Sequence, residues 1–184
     1  MTPHPDIVVA ALLQPSRLCK ALIQHWEECR LEAYMPTPND RPTIGWGMTR
    51  WKGRPVRMGM RITQEEADNE FALELAQFAA AVRRIAPSFP TTSRNQFDAM
   101  VSLAYNIGVS AFEKSTLVKL HRSRLYPDAA DEFLKWNKQA GKALRGLARR
   151  RVMEMHLYET PIGQWPLWAS EKPSGAILIK EPSL

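Results

Sequence analysis

The sequence predicts an α+β fold that is mostly helical. Three observations carry that expectation. Thr63-Gln64-Glu65-Glu66 and Ser93-Arg94-Asn95-Gln96 are capping boxes, and each opens a long apolar run. Between them and the first helix lies a stretch punctuated by proline and glycine, which contains the period-two string Thr43-Ile44-Gly45-Trp46-Gly47. The 184 residues are 45% hydrophobic, which supplies a core for one compact domain.

Taken in order, residues 1–6 hold two prolines and read as a loose arm, and residues 7–13 as a short apolar helix. A first long helix is expected from about 16 to 34, with Ser16 as its N-cap and Leu22, Ile23, Trp26 and Ala33 on one stripe. Glu27 then sits at the edge of that stripe, beside Leu31 and Tyr34. Burial of a carboxyl disfavours its charged form, and the protonated form is what a general acid needs. A solvated helix glutamate is the plainer alternative. The pattern breaks at Pro36 and Pro38, turns through Asn39-Asp40, and runs as a hairpin segment to about Arg57, with Met58–Arg61 as a connector.

The helix opened by Thr63 should reach about Ile85, with Ala67, Phe71, Leu73, Leu75, Phe78 and Val82 on its buried side and Ala86-Pro87 ending it. The helix opened by Ser93 is strongly apolar and stops at Gly108, in the C′ role. Ser115-Thr116-Leu117 starts a short helix to about Arg122. Pro127, at a first helical position, starts another through Trp136. A loop from Asn137 to Arg145 leads to a last helix, Gly146 to about Tyr158. Residues 161–184 read as an irregular tail packed by Trp165 and Trp168, appended to a single domain of residues 1–160 with its arm at 1–15.

Lys and Arg number 25 against 19 Asp and Glu, and the pI is near 9.5, so anionic partners are favoured: nucleic acid, membrane headgroups or an anionic cell wall. If Cys19 and Cys29 share the first helix they lie roughly 15 Å apart, too far for a disulfide. Two free thiols from a reducing compartment are expected. Neither has a metal-ligand spacing around it, so no zinc site is expected. The apolar run Ile7–Leu13 has no basic flank and is far shorter than a membrane span, so no signal peptide or transmembrane helix is expected.

Glu27, Arg30-Leu31, Ala33-Tyr34, Thr43-Ile44-Gly45 and Gly47-Met48-Thr49, in that order, resemble the catalytic entry of phage-type lysozymes, the endolysins of glycoside hydrolase family 24. The resemblance runs from about residue 18 to 160. It includes the long helix from Thr63, the apolar helix from Ser93 and the Gly-Leu-x-Arg-Arg-Arg run at Gly146. It implies a lysozyme-like fold of two lobes, a small β-hairpin lobe and a larger helical lobe joined by a long helix. It also implies a muramidase that hydrolyses the β-1,4 bond between N-acetylmuramic acid and N-acetylglucosamine, inverting at the anomeric carbon.

By resemblance Glu27 is the proton donor and Thr43 helps hold the attacking water. Asn106 falls where the family has a cleft-lining amide; capping the helix end before Gly108 is its alternative role. Trp46 is a candidate for stacking on sugar rings, or a core aromatic. The family's second carboxylate is displaced: nine residues after Glu27 is Pro36, and six before Thr43 is Thr37. Asp40 is the only acid between Tyr34 and Thr43, and stands either as the relocated carboxylate or as plain turn chemistry. Met48 takes the place of a family histidine. Glu32, at i+5 on the expected helix, and Glu28 point away from the site. Arg149–Arg151 read as a solvated basic face, or as a cation opposite Glu27.

The expected partner is peptidoglycan, with no metal or organic cofactor, no nucleic-acid role, no stable membrane insertion and a monomeric state. Synthesis without a signal peptide implies action on the wall after release, in the periplasm or outside the cell. A lytic transglycosylase needs one glutamate and no attacking water, and a non-catalytic wall binder needs neither; both remain open.

Overall fold

A computed structural model describes residues 13–86 and 92–182. Apart from Leu13, the N-terminal arm and the helix expected over 7–13 lie outside the described residues. The chain divides into two compact units, residues 23–77 and the remainder.

The first helix, α1 (Arg17–Trp26), starts as expected. Ser16 Oγ accepts from the backbone N–H groups of Leu18 and Cys19, both at 3.1 Å. It ends eight residues earlier than the periodicity predicts. Residues Arg30–Tyr34 form strand β1 instead, antiparallel to β2 (Thr43–Gly45), with Tyr34 opposite Thr43 and Arg30 opposite Gly45. The physical reason is that both edges of this segment are used. On the side away from β2, Ala33 N–H donates to Met60 O and Leu31 O accepts from Ile62 N–H, each at 2.9 Å. Strand pairing on two sides satisfies this segment's backbone as a helix would, and tertiary context overrides local period.

Strands β3 (Arg50–Trp51) and β4 (Arg54–Pro55) make a tight second hairpin. The small core of this unit is Ala33, Ile44 and Val56, with Trp51, Met60 and Ile62 packed against it. Glu32, discounted above as lying on a helix face, is a strand residue that pairs with Arg61 at 3.2 Å. Cys29 is likewise off the helix, and both cysteines are free.

Helix α2 (Gln64–Ile85) carries its capping box in full: Glu66 N–H donates to Thr63 Oγ1 (3.1 Å) and Thr63 N–H to Glu66 Oε2 (3.0 Å). Ala67, Phe71, Leu75, Ala79 and Val82 are buried. Leu73, expected among them, is 62% exposed, because two positions along a helix from Phe71 is its opposite side.

In the second unit α3 (Arg94–Ile107) also has both legs of its box and ends at Gly108, whose φ of 85° only glycine adopts readily. A short helix, α4 (Val109–Lys114), was not legible between Gly108 and Ser115. Helix α5 (Thr116–Arg122) is capped by Ser115. The helix expected from Pro127 to Trp136 is a six-residue α6 (Tyr126–Asp131) tightening into a 3₁₀ turn at Glu132–Lys135. The following loop holds a small hairpin, β5 (Lys138–Gln139) and β6 (Lys142–Ala143), before α7 (Arg145–Glu159).

Helix α3 packs along α7. At that seam Glu154 is fully buried between Arg150 and Arg151: Arg151 Nε lies 2.8 Å from its Oε2, Arg150 Nε 3.2 Å from its Oε1, and Ser102 donates to Oε1 at 2.7 Å. The solvated-face reading of this arginine run is therefore corrected for Arg150 and Arg151. Only Arg149 is outside the buried cluster, paired with Glu181 at 3.1 Å.

The tail is not irregular. Strands β7 (Ala169–Glu171) and β8 (Ile177–Ile179) pair, and Trp168 is buried with its indole N–H on Met153 O at 3.1 Å. Trp165, at 42% exposed, does not share that role. No helix among the described residues is long and apolar enough to cross a membrane.

Candidate active site

Glu27 is the first residue beyond α1, half-buried, with its N–H still donating to Ile23 O at 3.0 Å. Its side chain therefore leaves from a helix end rather than a helix face. What receives it is the turn after β2. Ile44 and Met48 exchange both backbone hydrogen bonds (2.9 and 3.0 Å), enclosing Gly45-Trp46-Gly47. Gly47 has φ +86°, and a Cβ built there would stand 3.0 Å from Glu27 Oε2. Gly47 thus meets two demands at once, a left-handed backbone and a carboxylate oxygen standing where a Cβ would crowd it.

The turn is held by what surrounds it. The Trp46 indole N–H donates to Asp68 Oδ1 at 2.7 Å, and its ring tilts against Phe71 at 6.1 Å between centroids. The side chain expected as a sugar platform is thus engaged with α2. Met48 is buried, and its methyl group fills the space over Gly45, where a Cβ would meet it at 2.4 Å. An apolar side chain suits that dry position.

Thr43, on β2, is 4% exposed, and its hydroxyl donates to Arg41 O at 3.0 Å. Its proton is committed, so its oxygen faces any further partner as an acceptor. Asp40 is exposed in the turn that leads to β2. Its N–H donates to Thr37 O (3.0 Å), and its Oδ1 accepts from Arg41 N–H (2.9 Å). These are the bonds of a turn-forming aspartate. Asn106 is exposed in the last turn of α3 and belongs to the other unit. Glu27, Asp40, Thr43 and Trp46 all belong to the unit of residues 23–77.

Two further groups shape this unit's chemistry. Partial burial raises the Cys29 thiol above its usual range, with Gln64's hydrogen bond pulling it down and Asp68's charge pushing it up, so it is not poised as a thiolate. Partial burial also raises the Tyr34 phenol, and Arg30, 4.5 Å over its ring, opposes that. Sequence reasoning missed Asp68 and the seating of Glu27 on Gly47. The spacing Gly-Trp-Gly signalled the second; nothing local signalled a contact spanning 22 residues, as Trp46–Asp68 does. Among the described residues no group of His, Cys, Asp and Glu is arranged to hold a metal ion.

The family model for phage lysozyme matches residues 24–154. An endolysin of Bacillus phage B103 is 37% identical over 140 residues, 76% of this chain and 51% of the relative, so the chain spans about half the length of that protein. An endolysin of Acyrthosiphon pisum secondary endosymbiont phage 1 is 38% identical over 143 residues, covering 76% of this chain and 93% of the relative. Among solved structures, an endolysin from Escherichia coli O157:H7 phage FAHEc1 superposes with a TM-score of 0.71 at 39% identity, covering 79% of this chain and 93% of that one.

Proposed function

This chain belongs to the phage lysozyme family, and on that premise we propose that it is a muramidase acting on peptidoglycan, with Glu27 as its general acid. The observation that carries the proposal is the seating of the Glu27 carboxylate on Gly47, in the turn that follows Thr43. It supports the reading by bringing a carboxylate that leaves a helix end against the turn following the strand of the water-holding candidate.

The reaction moves one proton at each end of the scissile bond. Glu27 protonates the leaving O4 of the glycosidic bond as C1 acquires oxocarbenium character. A water held by the Thr43 oxygen attacks C1 from the opposite side, giving inversion. Asp40 is the carboxylate proposed to take that water's proton, through Oδ2, since its Oδ1 accepts from Arg41 N–H. If Asp40 stays in its turn, Thr43 orients the water by accepting one of its hydrogen bonds, and the water's proton passes to bulk solvent as its oxygen bonds C1. Asn106 enters as a sugar contact by resemblance, whereas Trp46, whose indole N–H is bound to Asp68, is assigned to holding the turn. The wall is the proposed place of action, reached after release from the cell that makes the protein, and the proposed working state is a monomer.

The test is loss of turbidity of outer-membrane-permeabilised Gram-negative cells by wild type, Glu27→Gln, Asp40→Asn and Thr43→Val, with released muropeptides run by mass spectrometry. Reducing-end products lost with Glu27→Gln establish the muramidase. Anhydro-muramic ends identify a transglycosylase instead. No product from any wall leaves a binder.

A further inference from the structure

Residues 41–61 contain six basic residues and no acid. Their placement is not an even spread. Lys52, Arg54 and Arg57, with Trp51, Pro55 and Met60, line one hollow of about 630 Å³ on the β3–β4 hairpin. That volume is in the range of a small-ligand site. None of its lining residues is Glu27, Asp40, Thr43 or Trp46.

The hollow is built on a braced hairpin. The two-residue turn Lys52-Gly53 puts Lys52 at the tip, where its N–H donates to Glu70 Oε1 at 3.0 Å. Val56 N–H donates to Thr49 O at 3.0 Å, and Arg57 N–H to the Met60 sulfur at 3.3 Å. Trp51 and Met60 belong to the small core on one side and to the wall of the hollow on the other. Their positions are thus fixed by packing. The charges are much less committed. Lys52 Nζ has Glu66 only at 3.9 Å and lies 5.6 Å over the Trp51 ring. Arg54 and Arg57 are exposed and make no ion pair among the described residues.

We propose that this hollow is a second binding site, which takes a phosphate-bearing saccharide: the sugar against Trp51 and Met60, the phosphate between Lys52, Arg54 and Arg57. Two guanidiniums and an ammonium around one space match a group with more than one negative charge, and the guanidinium fork matches phosphate oxygens in pairs. The apolar floor matches a pyranose face. A nucleic acid would be met by a track of cations with several stacking aromatics, and here the cations converge on a single aromatic. The inference does not rest on the muramidase reading, since binding needs no hydrolysis. Such saccharides occur as wall-linked phosphodiester polymers and as the phosphorylated core of lipopolysaccharide.

The test is co-sedimentation of the full chain, carrying Glu27→Gln so that no wall is digested, with four probes. These are walls bearing phosphodiester polymer, the same walls stripped with cold hydrofluoric acid, lipopolysaccharide vesicles, and duplex DNA on beads. The variant is Arg54→Gln/Arg57→Gln; both side chains are exposed, and folding is checked by thermal melt. Lys138→Gln/Lys142→Gln removes equal charge from the β5–β6 hairpin as a control. The expected result is about tenfold weaker binding of the Arg54/Arg57 variant to phosphate-bearing material, with the control unchanged and stripped walls bound equally by all. Preference for walls or for vesicles then names the source. Equal loss in the control, equal loss on stripped walls, or tighter capture of duplex DNA than of either glycan overturns the proposal.

Discussion

Replacing Gly47 by alanine places a methyl group 3.0 Å from Glu27 Oε2 and 3.7 Å from its Cδ, at a residue whose φ is +86°. Two costs follow, and they separate. Forcing a residue with a Cβ into the left-handed region costs about 1–2 kcal/mol. In a chain of this size that lowers Tm by roughly 2–4 °C per kcal/mol. The second cost is local: the carboxylate must withdraw by several tenths of an ångström or rotate off the turn. A misplacement of about 1 Å costs on the order of 10²-fold in kcat, so a shift of this size should cost on the order of tenfold. Gly59→Ala supplies the comparison, since Gly59 has φ +85° and nothing among the described residues lies within 4 Å of its built Cβ. It should show the loss in Tm and keep the turnover. The assay is initial lysis rate at a temperature well below both melting points, alongside calorimetry of each variant. Equal activity in Gly47→Ala and Gly59→Ala would refute the claim that the Gly47 surface positions the acid.

Other outcomes are expected elsewhere. His121 is buried between Thr92 and Tyr158, and burial lowers its pKa to about 4 from 6.5. Its contribution is complete above 6.5 and is lost as pH falls toward 4, because the unfolded chain takes up the proton. Burial raises Asp98 to about 6 from 3.8, so its contribution is complete near 3.8 and is lost as pH rises through 6. The two slopes oppose, and urea midpoints of the wild type should be nearly flat in that window. Asp98→Asn should make stability climb with pH, and His121→Gln should make it fall, each by about 3 kcal/mol across the window. Glu154→Ala strands Arg150 and Arg151 in the core, and should cost about 3–5 kcal/mol in denaturant titration. Trp168→Ala should cost about 3–5 kcal/mol and expose the β7–β8 hairpin to proteolysis.

Helix starts were legible because their signals are local. Ser16, Thr63, Ser93 and Ser115 each cap the helix expected of them. The end of α1 was not, because what stops it is pairing with residues near 44 and 61, and nothing in Cys29–Tyr34 announces that. Periodicity put Leu31 and Tyr34 on a helix beside Glu27; they are strand residues. The candidate acid and threonine were legible by resemblance, whereas the seating of one against the other's hairpin needed coordinates. Arg150 and Arg151 misled for the opposite reason. A basic triplet ordinarily means solvent, and Glu154, three and four positions on, turns it inward.

Strand β1 is clamped along both edges, and its pairing with β2 already absorbs a register shift between Arg30 and Tyr34. All of the residues from Met35 to Asp40 are exposed. Lengthening a surface loop of this size by one residue costs only tenths of a kcal/mol. The interval between Glu27 and Thr43 is therefore free to drift over evolutionary time without disturbing either anchor. A search pattern that fixes the distance from acid to aspartate will pass over chains built this way, whereas one anchored on the Thr-Ile-Gly-x-Gly string tolerates the drift.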